Sequence, residues 1–256
     1  MTTMERMTST AARHLFVAWR DVADSRIHPV GRLTWIPDNA GYEFRYLNNV
    51  KGLERFNVLP GFPDLERVYR SNSLFPLFEV RIMSRRRPDY SQYMASLGLS
   101  GDHHDPFILL ARSEGWKSTD RLEVFAAPRR LDDTDIGCSV FFLRGLRYHD
   151  GAAEIADLLS AGDELAIRHE PENPVNPLAI QLLHSGVVLG HVPDYLVDHV
   201  HEVWDACGSD AVQVFVEHVN PDSSGSHMRL LCRIESCWPD NYKPFSDARF
   251  LPLITD

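Results

Sequence analysis

The chain has 256 residues, 44% of them apolar and 10% aromatic, which suits two modest domains or one large one and excludes a disordered chain. No apolar run approaches the length needed to cross a membrane, and the Thr-rich, polar stretch Met1 to Arg13 lacks an apolar signal core, which points to a flexible N-terminus and a cytoplasmic protein. The formal net charge of −10 is divided unevenly: residues 1–135 carry 19 Lys and Arg against 18 Asp and Glu, residues 136–256 carry 7 against 18, a net of −11.

The first half opens on strand signals. Leu15 to Trp19 is an apolar run. Val30 to Ile36 follows the break at His28-Pro29. From Tyr42 to Leu47, Tyr42, Phe44 and Tyr46 alternate with Glu43 and Arg45. Pro37 to Gly41 reads as a turn, and Leu59 to Pro63 as a loop. Helical spacing then appears, with Leu74, Phe75, Leu77, Phe78, Ile82 and Met83 on one broad face. Pro88 starts a helix through Tyr93, Met94 and Leu97, Phe107 to Ala111 forms another, and Leu122 to Phe125 returns as a strand. Pro128 to Asp135 is polar and sits where the charge balance changes, so a boundary is expected there.

The second half has a different rhythm. Ser139 to Tyr148 reads as one long strand, and Gly151 to Ser160 as a short helix with Ile155, Leu158 and Leu159 on one face. Glu164 to His169 is a strand. Pro171 to Pro177 holds three prolines and must be a loop. Leu178 to Leu183 and Val187 to Val192 flank His184-Ser185-Gly186, a hairpin signal. Pro193 opens a helix with Leu196, Val200, Val203, Trp204 and Cys207 on one side. In two last strands, Val212, Val214 and Val216 share one face, as do Met228, Leu230, Cys232 and Ile234. The fold class expected is α+β: a mixed β-then-α domain over 14–130, an antiparallel β-barrel with two short helices over 136–240, and a C-terminal tail over 241–256.

Motifs for catalysis and metal binding fail on spacing. Gly115-Trp116-Lys117-Ser118-Thr119 is not a phosphate loop, because Gly does not directly precede Lys117 and Leu110 stands where the first glycine belongs. No G-x-S-x-G occurs, so no catalytic residue is assigned and no enzyme is expected. Asp102-His103-His104-Asp105 matches no metal spacing, and Asp105 before Pro106 reads as a helix cap. His199 and His201 point to different faces of their helix, and Cys232 and Cys237 lack a partner pair, so no metal and no cofactor are expected. The four cysteines, Cys138, Cys207, Cys232 and Cys237, do not read as a disulfide framework. Arg81, Arg85, Arg86 and Arg87 form a basic run that reads as a solvated helix end.

Four pieces in order carry a resemblance. They are Phe142-Leu143-Arg144-Gly145-Leu146-Arg147-Tyr148, then Leu165-Ala166-Ile167-Arg168-His169-Glu170-Pro171-Glu172-Asn173-Pro174, then Asn176-Pro177-Leu178-Ala179-Ile180, then Val188-Leu189-Gly190-His191-Val192-Pro193. This order resembles the HIRAN family. The resemblance implies an OB-like barrel and a role in gripping the 3′ end of single-stranded DNA. It places Arg147 and Tyr148 at the binding strand, with Asn173 held by its prolines to meet a sugar or base edge. Arg144, His149, Arg168 and Asn176 join them as site candidates. An arginine beside a tyrosine offers a phosphate partner next to a stacking face. The eukaryotic DNA-end binders of the family carry a second aromatic and an aspartate after the Asn-Pro pair. Val175 and Asn176 stand at those positions here. The first half bears a fainter likeness to the small N-terminal lobe of HipA-type kinases, without the catalytic lobe.

Two functions follow from this reading. One is a bacterial single-stranded-DNA or DNA-end binder in DNA repair or phage defence, working beside a helicase, nuclease or toxin–antitoxin protein. The other is a non-catalytic protein-interaction adaptor or regulator, which the acidic second half and the missing aromatic favour.

Overall fold

A computed structural model describes residues 13–37, 41–99, 105–132 and 134–255. The expected flexible N-terminus before Arg13, the middle of the Pro37–Gly41 turn and the pair His103-His104 lie outside them. The described residues form two compact units, one from those within 1–90, 99–127 and 245–256, the other from those within 91–98 and 128–244.

The first unit is built on five antiparallel strands: β1 (Arg13–Arg20), β2 (Ile27–Ile36), β3 (Gly41–Tyr46), β4 (Tyr69–Ser71) and β5 (Leu122–Phe125). Their order is β4-β3-β2-β1-β5. Val17, Leu33, Phe44 and Tyr46 supply the inward face, closed by Phe62, Phe78, Leu110 and Val124. The Tyr46 hydroxyl lies 2.7 Å from both the Phe62 carbonyl and the Leu59 amide, so one buried phenol pins the 59–63 loop. The helix expected over 74–83 shortens to α1 (Pro76–Glu79). Beyond it, Arg81 and Ile82 donate three residues back rather than four. The Arg81 guanidinium turns inward to the carbonyls of Leu77 (3.1 Å) and Gly115 (2.7 Å), so this arginine is not part of a solvated helix end. Along the chain, α2 (Tyr90–Ser96) falls in the second unit from Ser91 on, α3 (Pro106–Ser113) belongs to the first, and the Asp105 carboxylate caps α3 through the Phe107 amide at 2.9 Å. Residues 245–255 return to this unit. Phe245 and Phe250 stack at 4.7 Å and meet Phe16 edge-on, and Leu47 forms a bridge to Pro252.

The second unit carries seven antiparallel strands: β6 (Arg129–Arg130), β7 (Ile136–Phe142), β8 (Glu164–His169), β9 (Ile180–His184), β10 (Val187–His191), β11 (Val212–Val219) and β12 (Leu230–Cys237). Their order is β10-β9-β8-β11-β12-β7-β6. The sheet is not closed as the expected barrel, since β10 and β6 stand at opposite ends of that order. α4 (Ala152–Leu158) and α5 (Asp194–Cys207) complete the unit. α4 buries Ala152 and Ala156; of the expected face, Leu159 at its C-cap is buried, Ile155 is half-buried and Leu158 is 78% exposed. α5 buries Leu196, Val200 and Val203 as its spacing predicts. One expectation from the cysteines fails: Cys207, ending α5, and Cys237, ending β12, are joined by a disulfide.

Candidate nucleic-acid interface

The long strand expected over 139–148 ends at Phe142, and the departure builds the site. Leu143 still donates to Leu230 of β12 at 2.9 Å. Arg144 then turns to His191 of β10, with its amide donating at 2.9 Å and its carbonyl accepting at 2.8 Å. This approach requires Gly190, because a Cβ there would stand 2.2 Å from the Arg144 carbonyl oxygen, at a φ of +154°. Gly145 takes a φ of +80° and sends the chain into a 3-10 turn over Leu146–Tyr148. Leu146 is buried as the anchor. Arg147 and Tyr148 project outward, and Tyr148 is 72% exposed. The Arg147 guanidinium lies 4.7 Å over the Tyr148 ring and hydrogen-bonds to its hydroxyl. The arginine–tyrosine pair is therefore a ledge on a turn, not two residues of a strand.

Strand register extends the site. Arg144 pairs with His191, His191 with Gln181 and Gln181 with Arg168, so four side chains cross the sheet in one row. Arg168 donates to the Gln181 side-chain Oε1 through Nε (2.9 Å) and Nη2 (2.6 Å). His191 Nε2 lies 2.8 Å from Glu170 Oε2, and the His149 ring is 5.4 Å from the His191 ring. Burial works to raise the Glu170 carboxyl, but hydrogen bonds from Asn173 and His191 outweigh it and hold the group below its ordinary value. Burial, then the nearby His191, lowers His149, which favours its neutral form.

The proline-rich loop spends its asparagines on itself. The Asn173 amide donates to Glu170 Oε2 at 2.7 Å, and its Oδ1 accepts from the amides of Val175 (3.0 Å) and Asn176 (3.1 Å). Asn176 is buried, donates to the Asp194 carboxylate and accepts from the Leu178 amide at 3.0 Å. Both asparagines thus act as struts of the loop, while Arg144, Arg147, Tyr148, His149 and Arg168 lie along the row or its ledge. His191, Gln181 and Glu170 were missed. The signal for them was present: His191 follows Gly190 in the motif, and Gln181 follows the Ala179-Ile180 pair on the next strand.

Among the described residues no group of three or more His, Cys, Asp or Glu could hold a metal ion, and no helix is long and apolar enough to cross a membrane.

Residues 136–236 match the HIRAN domain family. The second unit carries a HIRAN domain. That match supports a nucleic-acid-binding domain there, and it does not extend to the first half, whose HipA-type likeness is not shown. Among solved structures, the HIRAN domain of human HLTF is similar to 40% of this chain and 77% of its own, at 16% identity and a TM-score of 0.31. A protein from Lactobacillus plantarum is similar to 40% of this chain and 98% of its own, at 17% identity and a TM-score of 0.31. No curated protein matches the chain.

Proposed function

We propose that this HIRAN domain clasps the 3′ end of a single DNA strand and does so without catalysis. The observation that carries the reading is the solvent-facing ledge of Arg147 over Tyr148, standing beside the Arg144–His191–Gln181–Arg168 row. A guanidinium meets a phosphate with charge-assisted hydrogen bonds, and the free face of a tyrosine takes a base. His149, next to Tyr148 in the chain, and His191 of the row, with rings 5.4 Å apart, are donors or acceptors for a terminal hydroxyl. With Val175 where relatives place a second aromatic, one stacking platform is fewer, worth about 1–3 kcal/mol. The grip is therefore narrow, and the role that fits it is a terminus sensor working with a helicase, nuclease or toxin–antitoxin protein in repair or phage defence.

Fluorescence anisotropy separates an end-binder from a strand-binder. Labelled oligodeoxythymidines ending in a 3′-hydroxyl or a 3′-phosphate are titrated with the full chain at low salt. The 3′-hydroxyl strand binds more tightly on this account. Equal affinity for both ends, or no binding to either, rejects it.

A further inference from the structure

A second feature of the HIRAN unit lies outside the ledge, along β8. β8 pairs with β11 at only two positions, Leu165 with Val214 and Glu164 with Phe215, whereas it pairs with β9 along Ala166 to His169. Past Leu165 the two strands part, leaving a groove of about 670 Å³ with all of β8 on one bank and Asp210, Val212 and Gln213 on the other. Ladder geometry says which backbone groups face it. Glu170 donates to the Ala179 carbonyl of the strand leading into β9 at 2.8 Å, and Val216 donates to the Asp163 carbonyl on the opposite side at 2.8 Å. Alternation then turns the N–H and C=O of Ile167 and His169 away from β9 and into the groove, where β11 no longer meets them.

Three further observations describe what the groove takes. Trp204 of α5 lines it, and its indole N–H has no hydrogen-bond partner among the described residues although the atom is covered. His169 and Trp204 both line the groove, and the His201 ring lies 4.8 Å from the first and 5.2 Å from the second. The charges lining the groove are Glu164 and Asp210 against Arg168, within a half of the chain whose net charge is −11. A polyanion is repelled by that balance. An unpaired strand edge instead suits another backbone, and an acidic surround suits basic side chains on it.

We propose that this groove binds an extended, basic polypeptide segment, which adds as a strand to the free edge of β8 at Ile167 and His169 and seats an apolar side chain against Trp204. The partner is a protein, not a nucleic acid. The site shares only Arg168 with the proposed DNA row, so either can fail without the other.

The probe is a synthetic peptide of about eight residues, long enough to span the β8 edge, alternating valine and threonine with a lysine at each end. It is titrated into the full-length, isotope-labelled chain. Amide shifts at Ile167 and His169 and a saturable isotherm are expected, with slower hydrogen exchange at both amides. Ile167→Pro removes a groove-facing donor and leaves the β9 ladder whole, whereas Ile167→Val keeps the donor. The Pro variant weakens binding by about tenfold, the order expected for one or two lost hydrogen bonds, and the Val variant leaves it unchanged. Should Ile167→Pro fail to fold, N-methylation of alternate peptide residues removes the same pairing from the ligand side and gives the same loss. Two results overturn the proposal: no binding of the lysine peptide, or equal affinity for its glutamate counterpart.

Discussion

Arg147 and Tyr148 depend on each other. The guanidinium stacks on the ring and bonds to its hydroxyl, so each holds the other in place while both stay solvated. Arg147→Ala removes a charge-assisted contact and releases the ring, and is expected to weaken single-strand binding several-fold or more in an anisotropy titration. Tyr148→Ala removes the stacking face, with an expected loss of about 1–3 kcal/mol in the same assay and little change in thermal midpoint, because Tyr148 supports no core. His199 behaves in the opposite way. It is buried on α5, its Nδ1 lies 2.7 Å from the Tyr242 hydroxyl, and that hydroxyl donates to Glu202 at 2.7 Å. Burial pushes the imidazole down to about 4 from 6.5. A folded value below the unfolded one means that the unfolded chain takes up the proton first. The stabilisation is therefore complete above about pH 6.5 and lost as pH falls through the window to about 4. Chemical denaturation at stepped pH tests this: wild type loses stability on the order of 3 kcal/mol more than His199→Asn across that window.

At the scale of elements, strands with an apolar face were legible in the sequence and interruptions were not. Val212, Val214 and Val216 alternate, and β11 buries all three. Leu196, Val200 and Val203 keep helical spacing, and α5 buries them. The run from Ser139 to Tyr148 misled because its apolar residues continue past Phe142. What ends β7 is a tertiary event, the bridge from Arg144 to His191, and no local propensity announces it. β4 and β6 were missed for a similar reason: three and two residues long, they are strands only because β3 and β7 lie beside them. In the site, the motif residues were readable and their roles were not. Asn173 and Asn176 sit in the expected loop, but their amides close it rather than face a ligand. Gly190→Ala tests the bridge directly. With a Cβ 2.2 Å from the Arg144 carbonyl, the turn bearing the ledge must shift, and a loss of about 1–3 kcal/mol or more is expected in urea denaturation, together with weakened DNA binding. The Cys207–Cys237 disulfide closes a loop with a sequence separation of 30, so reduction is expected to lower stability by about 3–4 kcal/mol, read as a shift of the denaturation midpoint with and without reductant.

For the whole molecule, charge sets the terms of any contact with DNA. The half that bears the ledge carries a net of −11, so a grip on a long phosphate backbone is disfavoured and a local one is all the arginines can provide. Arg144, Arg147 and Arg168 imply at most about three neutralised phosphates, and hence a slope of about −2 for log affinity against log salt on a single strand. On the proposed reading a terminus suits such a surface, since it adds a hydroxyl and an unstacked base to few charges. Shift mapping measures this most directly: the labelled full chain is titrated with a short 3′-hydroxyl oligodeoxythymidine at low salt. The account predicts that the largest changes fall on Arg144, Arg147, Tyr148, His149 and His191. Changes confined to other surfaces, or a spectrum that does not move, would contradict it.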